Sequence, residues 1–149
     1  PKTKNKLLIK KTKKMRKYFY FRTEADEDDD DDVARSVMIP CENLVGMFPT
    51  SDTALTLTFK PVLRNVSDGQ DGNVANNDTI VLNVSSNQHK EVMGAIARAA
   101  NATGPQYNDG FIVVADDATT DFDGTTKAAI YLDTNISSCG AIAIAAVLS

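Results

Sequence analysis

Charge is segregated along the first 32 residues of this chain, and that segregation limits what they can build. Pro1 to Lys17 holds nine Lys/Arg and no acid, while Glu24 to Asp32 holds eight Asp/Glu and no base. The aromatic patch Tyr18-Phe19-Tyr20-Phe21 lies between the two blocks. Like charges in blocks repel one another and resist folding alone. Residues 1–32 therefore read as an extended N-terminal arm, basic then acidic, that needs a partner surface. Residues 33–149 read as a single domain.

The remaining charge follows from this division. Residues 33–149 carry six basic and twelve acidic side chains, a net of −6. An acidic surface repels phosphate backbones, so any nucleic-acid contact falls to the arm alone. No stretch approaches the roughly 20 apolar residues of a membrane helix. The basic N-terminus leads into no apolar h-region, so it does not read as a secretory signal, and Pro1 fits a mature chain whose initiator Met was removed. Cys41 and Cys139 form no CxxC pair and are expected as two reduced thiols, a disulfide being the alternative. The N-x-S/T sequons at Asn65, Asn77, Asn83, Asn101 and Asn135 read as fortuitous.

Periodicity supplies the elements. Tyr18 to Arg22 is aromatic-rich and suits a strand added to a sheet edge. Ser36 to Ile39 is a short apolar segment stopped by Pro40, and Gly46 to Asp52 carries turn chemistry. Leu55, Leu57 and Phe59 alternate with Thr56, Thr58 and Lys60, which predicts a strand over 54–62. Residues 67–78 form a polar loop, and Ile80, Leu82 and Val84 mark a strand over 79–85. A helix is predicted from Gln88 to Asn101, with Asn87 as N-cap, Glu91 in the first turn and Val92, Ile96 and Ala99/Ala100 as its apolar stripe. Gly104-Pro105 closes it. Phe111 to Ala115, Ala128 to Leu132 and Cys139 to Leu148 complete the strands. Strand 79–85, the helix and strand 111–115 suit a βαβ unit. The expected class is α+β: one mixed, mostly antiparallel sheet of about five to seven strands, with one helix on one face.

Catalytic patterns are weak. His89 is the sole histidine and falls in the first helical turn, where a surface or capping role is expected. Asp116, Asp117, Asp121 and Asp123-Gly124 make the strongest metal candidate. In a calcium-loop frame, however, Thr119 takes the first ligand position and Ile130 stands where a bidentate Glu belongs, so a plain polar connection is expected. There is no GxxxxGK[ST] or GxGxxG phosphate loop. No enzyme activity, metal or cofactor is expected. In the arm, Leu7-Leu8-Ile9 interrupts the lysines, which suits an extended strap more than a polycation for nucleic acid.

Asn87 to Asn101 and Asp109 to Asp117, together with Ser51 to Lys60 and Ser137 to Ile144, resemble small proteins of marine phages, especially cyanophages. The resemblance runs from about Met15 to the C-terminus, with residues 1–14 as an extension. Members of that group are mostly unassigned or presumed virion structural proteins, and they bring no site residues. The resemblance implies a virion component made in the host cytoplasm, most specifically a capsid decoration (cement) protein that stabilises the head. Portal, adaptor or tail proteins are the nearest alternatives, and a nucleic-acid-associated protein is the remaining one. The expected partners are the major capsid protein, other virion proteins and further copies of the chain, with no membrane. The residues expected to touch them are Lys10, Lys11, Lys13, Lys14, Arg16, Lys17, Tyr18, Phe19, Tyr20 and Phe21. Deleting residues 1–22 is then expected to leave the domain folded.

Overall fold

The aromatic patch proves to be the middle of a sheet. The computed structural model of the protein describes residues 16–61, 77–102 and 110–144. In chain order its strands are β1 (Tyr18–Arg22), β2 (Ser36–Pro40), β3 (Leu44–Ser51), β4 (Ala54–Phe59), β5 (Asp78–Val84), β6 (Phe111–Asp116), β7 (Ile130–Tyr131) and β8 (Ile136–Ala143). The helix α1 (His89–Asn101) lies between β5 and β6, and a 3-10 turn, Cys41–Asn43, joins β2 to β3. The class is α+β and mostly antiparallel, with one helix among the described residues. The single sheet of five to seven strands is corrected to two sheets of four, ordered β2-β1-β6-β7 and β3-β4-β5-β8.

β1 pairs antiparallel with β2 and parallel with β6, so both its backbone edges are used. It is the central strand of a mixed sheet, not an edge strand on an arm outside the fold. Phe19 and Phe21 are fully buried and meet Phe59 of the second sheet edge-on, at centroid distances of 6.3 and 6.0 Å. The same core takes Ile39, Ile112 and Val114 from the mixed sheet, and Leu55, Leu57, Ile80, Leu82 and Val84 from the antiparallel one. Strict alternation in β4 and β5 puts those last five on one face. Val92, Ile96 and Ala99 of α1 enter the same cluster, which accounts for the helix stripe.

Three further expectations change. β5 and β6 lie in different sheets, so they form no βαβ unit, and the parallel partner of β6 is β1. Of the turn expected at 46–52, residues 46–51 belong instead to β3, an edge strand that pairs with β4 alone, and the turn itself begins at Asp52. Pro49 has no N–H to give a ladder, but an edge position does not require one. Asn87 sits at φ 65°, a left-handed position that Asn tolerates, and Gln88 takes the N-cap place. Residues 67–76, Gly104-Pro105 and residues 1–15 lie outside the described residues.

The start of β1 is fixed by a close approach. The Tyr18 backbone N–H donates to the Gly110 carbonyl at 2.7 Å. Gly110 has φ +72°, and a Cβ there would stand 2.5 Å from the Arg16 carbonyl oxygen, so only glycine fits. Because β1 contributes two core phenylalanines and both neighbours' ladders, deletion of residues 1–22 removes the middle of the fold. Such a chain is expected to show no cooperative thermal transition by circular dichroism, whereas a folded deletion product would contradict the central placement of β1.

Candidate protein-binding face

Register decides which side chains leave the core. Tyr18 is opposite Pro40 and Phe111, and Tyr20 is opposite Met38 and Val113. Residues paired directly across a ladder share a face, so these six form the outer face of the mixed sheet. Met38 is 47% exposed and Phe111 42%, while the other four are half-buried. The Tyr20 and Phe111 rings lie 5.2 Å apart in a tilted pair.

The face ends at Arg22. A bulge after Val113 restores the ladder with Arg22 opposite Asp116, so the guanidinium points outward beside Tyr20. It is nevertheless only 5% exposed, because the acidic segment folds over it. Arg22 Nε donates to the Tyr20 hydroxyl at 3.0 Å, Nη1 to the Glu27 carbonyl at 3.1 Å and Nη2 to Asp30 Oδ2 at 3.2 Å. Asp116 Oδ1 stands 3.5 Å from Nε. Five N–H donors in a planar fork suit such a site, where a lysine would reach one partner at a time.

The other cations finish the loop. Arg35 lies 3.7 Å from Glu24, 3.8 Å from Asp29 and 3.6 Å from Asp31. Lys127 Nζ donates to Glu27 Oε2 at 2.6 Å, and the Glu27 N–H donates to the Thr120 carbonyl. The acidic run, expected as part of an arm that needs a partner surface, is thus a largely exposed flap held over Arg22 of its own chain. The Lys127 hydrogen bond holds the Glu27 carboxyl below its usual range.

Three of the four aspartates weighed as a metal candidate hold protein groups instead. Asp116 Oδ1 accepts the Ala118 N–H at 3.0 Å and faces Arg22. Asp117 Oδ1 accepts the Tyr131 hydroxyl at 2.6 Å and the Cys139 N–H at 3.0 Å, which ties β6 and β7 of one sheet to β8 of the other. Asp123 Oδ1 accepts the Thr125 N–H in a turn. Among the described residues no group of three or more His, Cys, Asp or Glu could hold a metal ion. His89 Nε2 donates to the Ser51 and Ala54 carbonyls at 2.9 and 3.2 Å, which pins the β3–β4 hairpin to the start of α1.

Cys41 and Cys139 are free thiols. Burial pushes Cys41 up to about 11, and burial with the nearby Asp117 and Asp116 charges pushes Cys139 up to about 12. Neither is a nucleophile near neutral pH.

Of the residues expected to touch partners, Lys10, Lys11, Lys13 and Lys14 lie outside the described residues. Arg16 is exposed and pairs with Glu42 at 2.7 Å. Lys17 Nζ reaches the Ala99 and Ala100 carbonyls at 3.4 Å, a cation at the negative end of α1. Phe19 and Phe21 are removed from the contact set by full burial, whereas Tyr18 and Tyr20 stay on the outer face. Sequence reasoning missed Arg22, Met38 and Phe111. The short apolar run Val37-Met38-Ile39 signalled a strand, in which Met38 and Ile39 must take opposite faces. No local pattern marks Arg22, whose partners lie on three segments.

Two outcomes follow. Asp117→Ala leaves the Tyr131 hydroxyl and the Cys139 N–H without their charged acceptor and is expected to cost about 1.5–3 kcal/mol in urea unfolding. A smaller cost in Asp117→Asn checks that hydrogen bonding is the cause. The folded pKa of Glu27 is depressed, so its stabilisation is present above the ordinary carboxylate range and disappears as pH falls through the lowered value. Glu27→Gln is therefore expected to lower the melting temperature at pH 7 and to converge with the unaltered chain in acid.

Comparison with protein-family models, with curated proteins and with solved structures finds no match to this chain.

Proposed function

We propose that this chain is a structural protein that packs into a larger assembly through the outer face of its mixed sheet. The observation that carries the reading is the aromatic and apolar row of Tyr18, Tyr20, Met38 and Phe111, with Met38 and Phe111 still exposed in the single chain. Surfaces that unite apolar anchors with a charged rim mark protein–protein contacts. Tyr and Phe supply large contact area at a small cost in side-chain order.

The specific form we propose is a phage decoration (cement) protein on the virion head, following the resemblance of residues 87–101 and 109–117 to marine-phage proteins. The major capsid protein and neighbouring copies are the proposed partners, with Lys10, Lys11, Lys13 and Lys14 adding charge to the contact. Portal, adaptor and tail positions differ from decoration in copy number. Quantitative mass spectrometry of purified particles is expected to give this chain in numbers comparable with the major shell protein. A few dozen copies or fewer would place it at the portal or tail. Absence from particles would end the virion reading and put nucleic-acid binding by the basic arm first.

A further inference from the structure

The outer face of the mixed sheet has two unlike ends. At one end the chain enters β1, with Arg16 on Glu42 and Tyr18 held to Gly110. At the other end lies the acidic flap. There Asp26, Asp28 and Asp32 make no ion pair among the described residues, and the Asp31 side chain is 83% exposed beside Arg35. Tyr18 and Arg22 mark these ends about 13 Å apart, at roughly 3.3 Å per strand residue. Tyr20 and Met38 occupy the ground between them.

A segment that complements this face is extended, apolar in its middle and basic where it meets the flap. Residues 1–14 of the chain have that composition. Lys2, Lys4 and Lys6 precede Leu7-Leu8-Ile9, which Lys10, Lys11, Lys13 and Lys14 follow. From Leu8 back to Lys6 an extended chain covers about 7 Å, which matches the step from Tyr20 to Arg22, and Lys4 and Lys2 would then extend over the flap. To reach the face of its own molecule, the chain must reverse between Ile9 and Arg16. Lys10 to Met15 contains no Gly, Pro, Asn or Asp, the residues that favour tight reversals, and holds four lysines that a reversal would crowd. A neighbour's face requires no such turn.

We propose that residues 1–14 of one copy lie on the outer face of the mixed sheet of a second copy. Leu7 to Ile9 cover Tyr20 and Met38, and Lys2 to Lys6 meet the acidic flap. This names a partner for the face and rests on the assembly reading above. It accounts for a basic arm and an acidic flap in one chain: each copy carries both halves of the contact.

Sedimentation velocity tests this on the full-length chain, the Leu8→Asp and Met38→Asp variants, and their mixture, with thermal melts confirming that each folds. The unaltered chain is expected to self-associate and to do so less at high salt. Each variant should weaken association by about 10-fold or more, as expected for loss of a central anchor. Mixing the variants should recover part of the loss, because the intact arm of Met38→Asp meets the intact face of Leu8→Asp. If Met38→Asp does not fold, Met38→Gln takes its place.

Three results overturn the proposal. A chain that stays monomeric up to about 1 mM has no such contact. A Leu8→Asp chain that associates like the unaltered one puts the arm elsewhere. A mixture no stronger than its components assigns the arm to its own molecule. Each is independent of particle abundance, so a monomer found abundantly in virions would remove this proposal and leave the assembly reading standing.

Discussion

The fold depends on one strand being drawn into the core from between two blocks of charge. Neither block can enter an apolar interior, so they confine burial to the five residues of β1. Within it Phe19 and Phe21 point inward and Tyr18 and Tyr20 outward, as the two-residue period of a strand requires. Burying each phenylalanine contributes about 1.5–3 kcal/mol, and an edge-on aromatic pair about 0.5–1.5 kcal/mol beyond that. Phe59 receives both rings, and through them the mixed sheet is joined to the antiparallel one. A one-residue slip of β1 would exchange the phenylalanines for tyrosines and point them at solvent. The Tyr18–Gly110 hydrogen bond opposes that slip at the strand's first residue.

Arg22 resolves the conflict at the other end of the strand. A guanidinium at the last sheet position would need water, yet the chain supplies eight carboxylates within the next ten residues. Burial of an unpaired charge is costly, while burial with complete hydrogen bonding can break even. Here Tyr20, the Glu27 carbonyl, Asp30 and Asp116 surround the fork, so the acidic block is ordered by the residue it follows. Lys127 holds Glu27 from outside. Charge repulsion within the block is thus reduced locally by three cations, of which Arg35 and Lys127 come from later in the chain.

Much of the fold was legible where a side-chain period acts alone. Leu55, Leu57 and Phe59, then Ile80, Leu82 and Val84, announced their strands by alternation, and Val92, Ile96 and Ala99 announced the helix. A period reports which face is buried, though, and not which sheet a strand joins. That is why β5 and β6 could be imagined as neighbours around a helix. β3 was hidden because Pro49 and Ser51 are turn residues that an edge strand also admits. The centrality of β1 was hidden because its flanks are charged and its partners β2 and β6 stand 14 and 89 residues further on, counting from Arg22 to Ser36 and to Phe111. The candidate face suffered in the same way: Tyr18 and Tyr20 were visible, but Met38 and Phe111 reach them only through register.

An apolar sheet face open to solvent invites indiscriminate association, since aromatic rows attract any apolar surface. Electrostatic asymmetry restricts that. Charge placed at the ends of a contact contributes little affinity, but it penalises the reversed arrangement and fixes register. On this sheet the basic entry to β1 and the acidic flap beyond Arg22 give the row between them a direction. The charge pattern that first reads as an obstacle to folding therefore acts at two levels. Within the chain it sets the limits of β1, and on the surface it gives a sticky face an orientation.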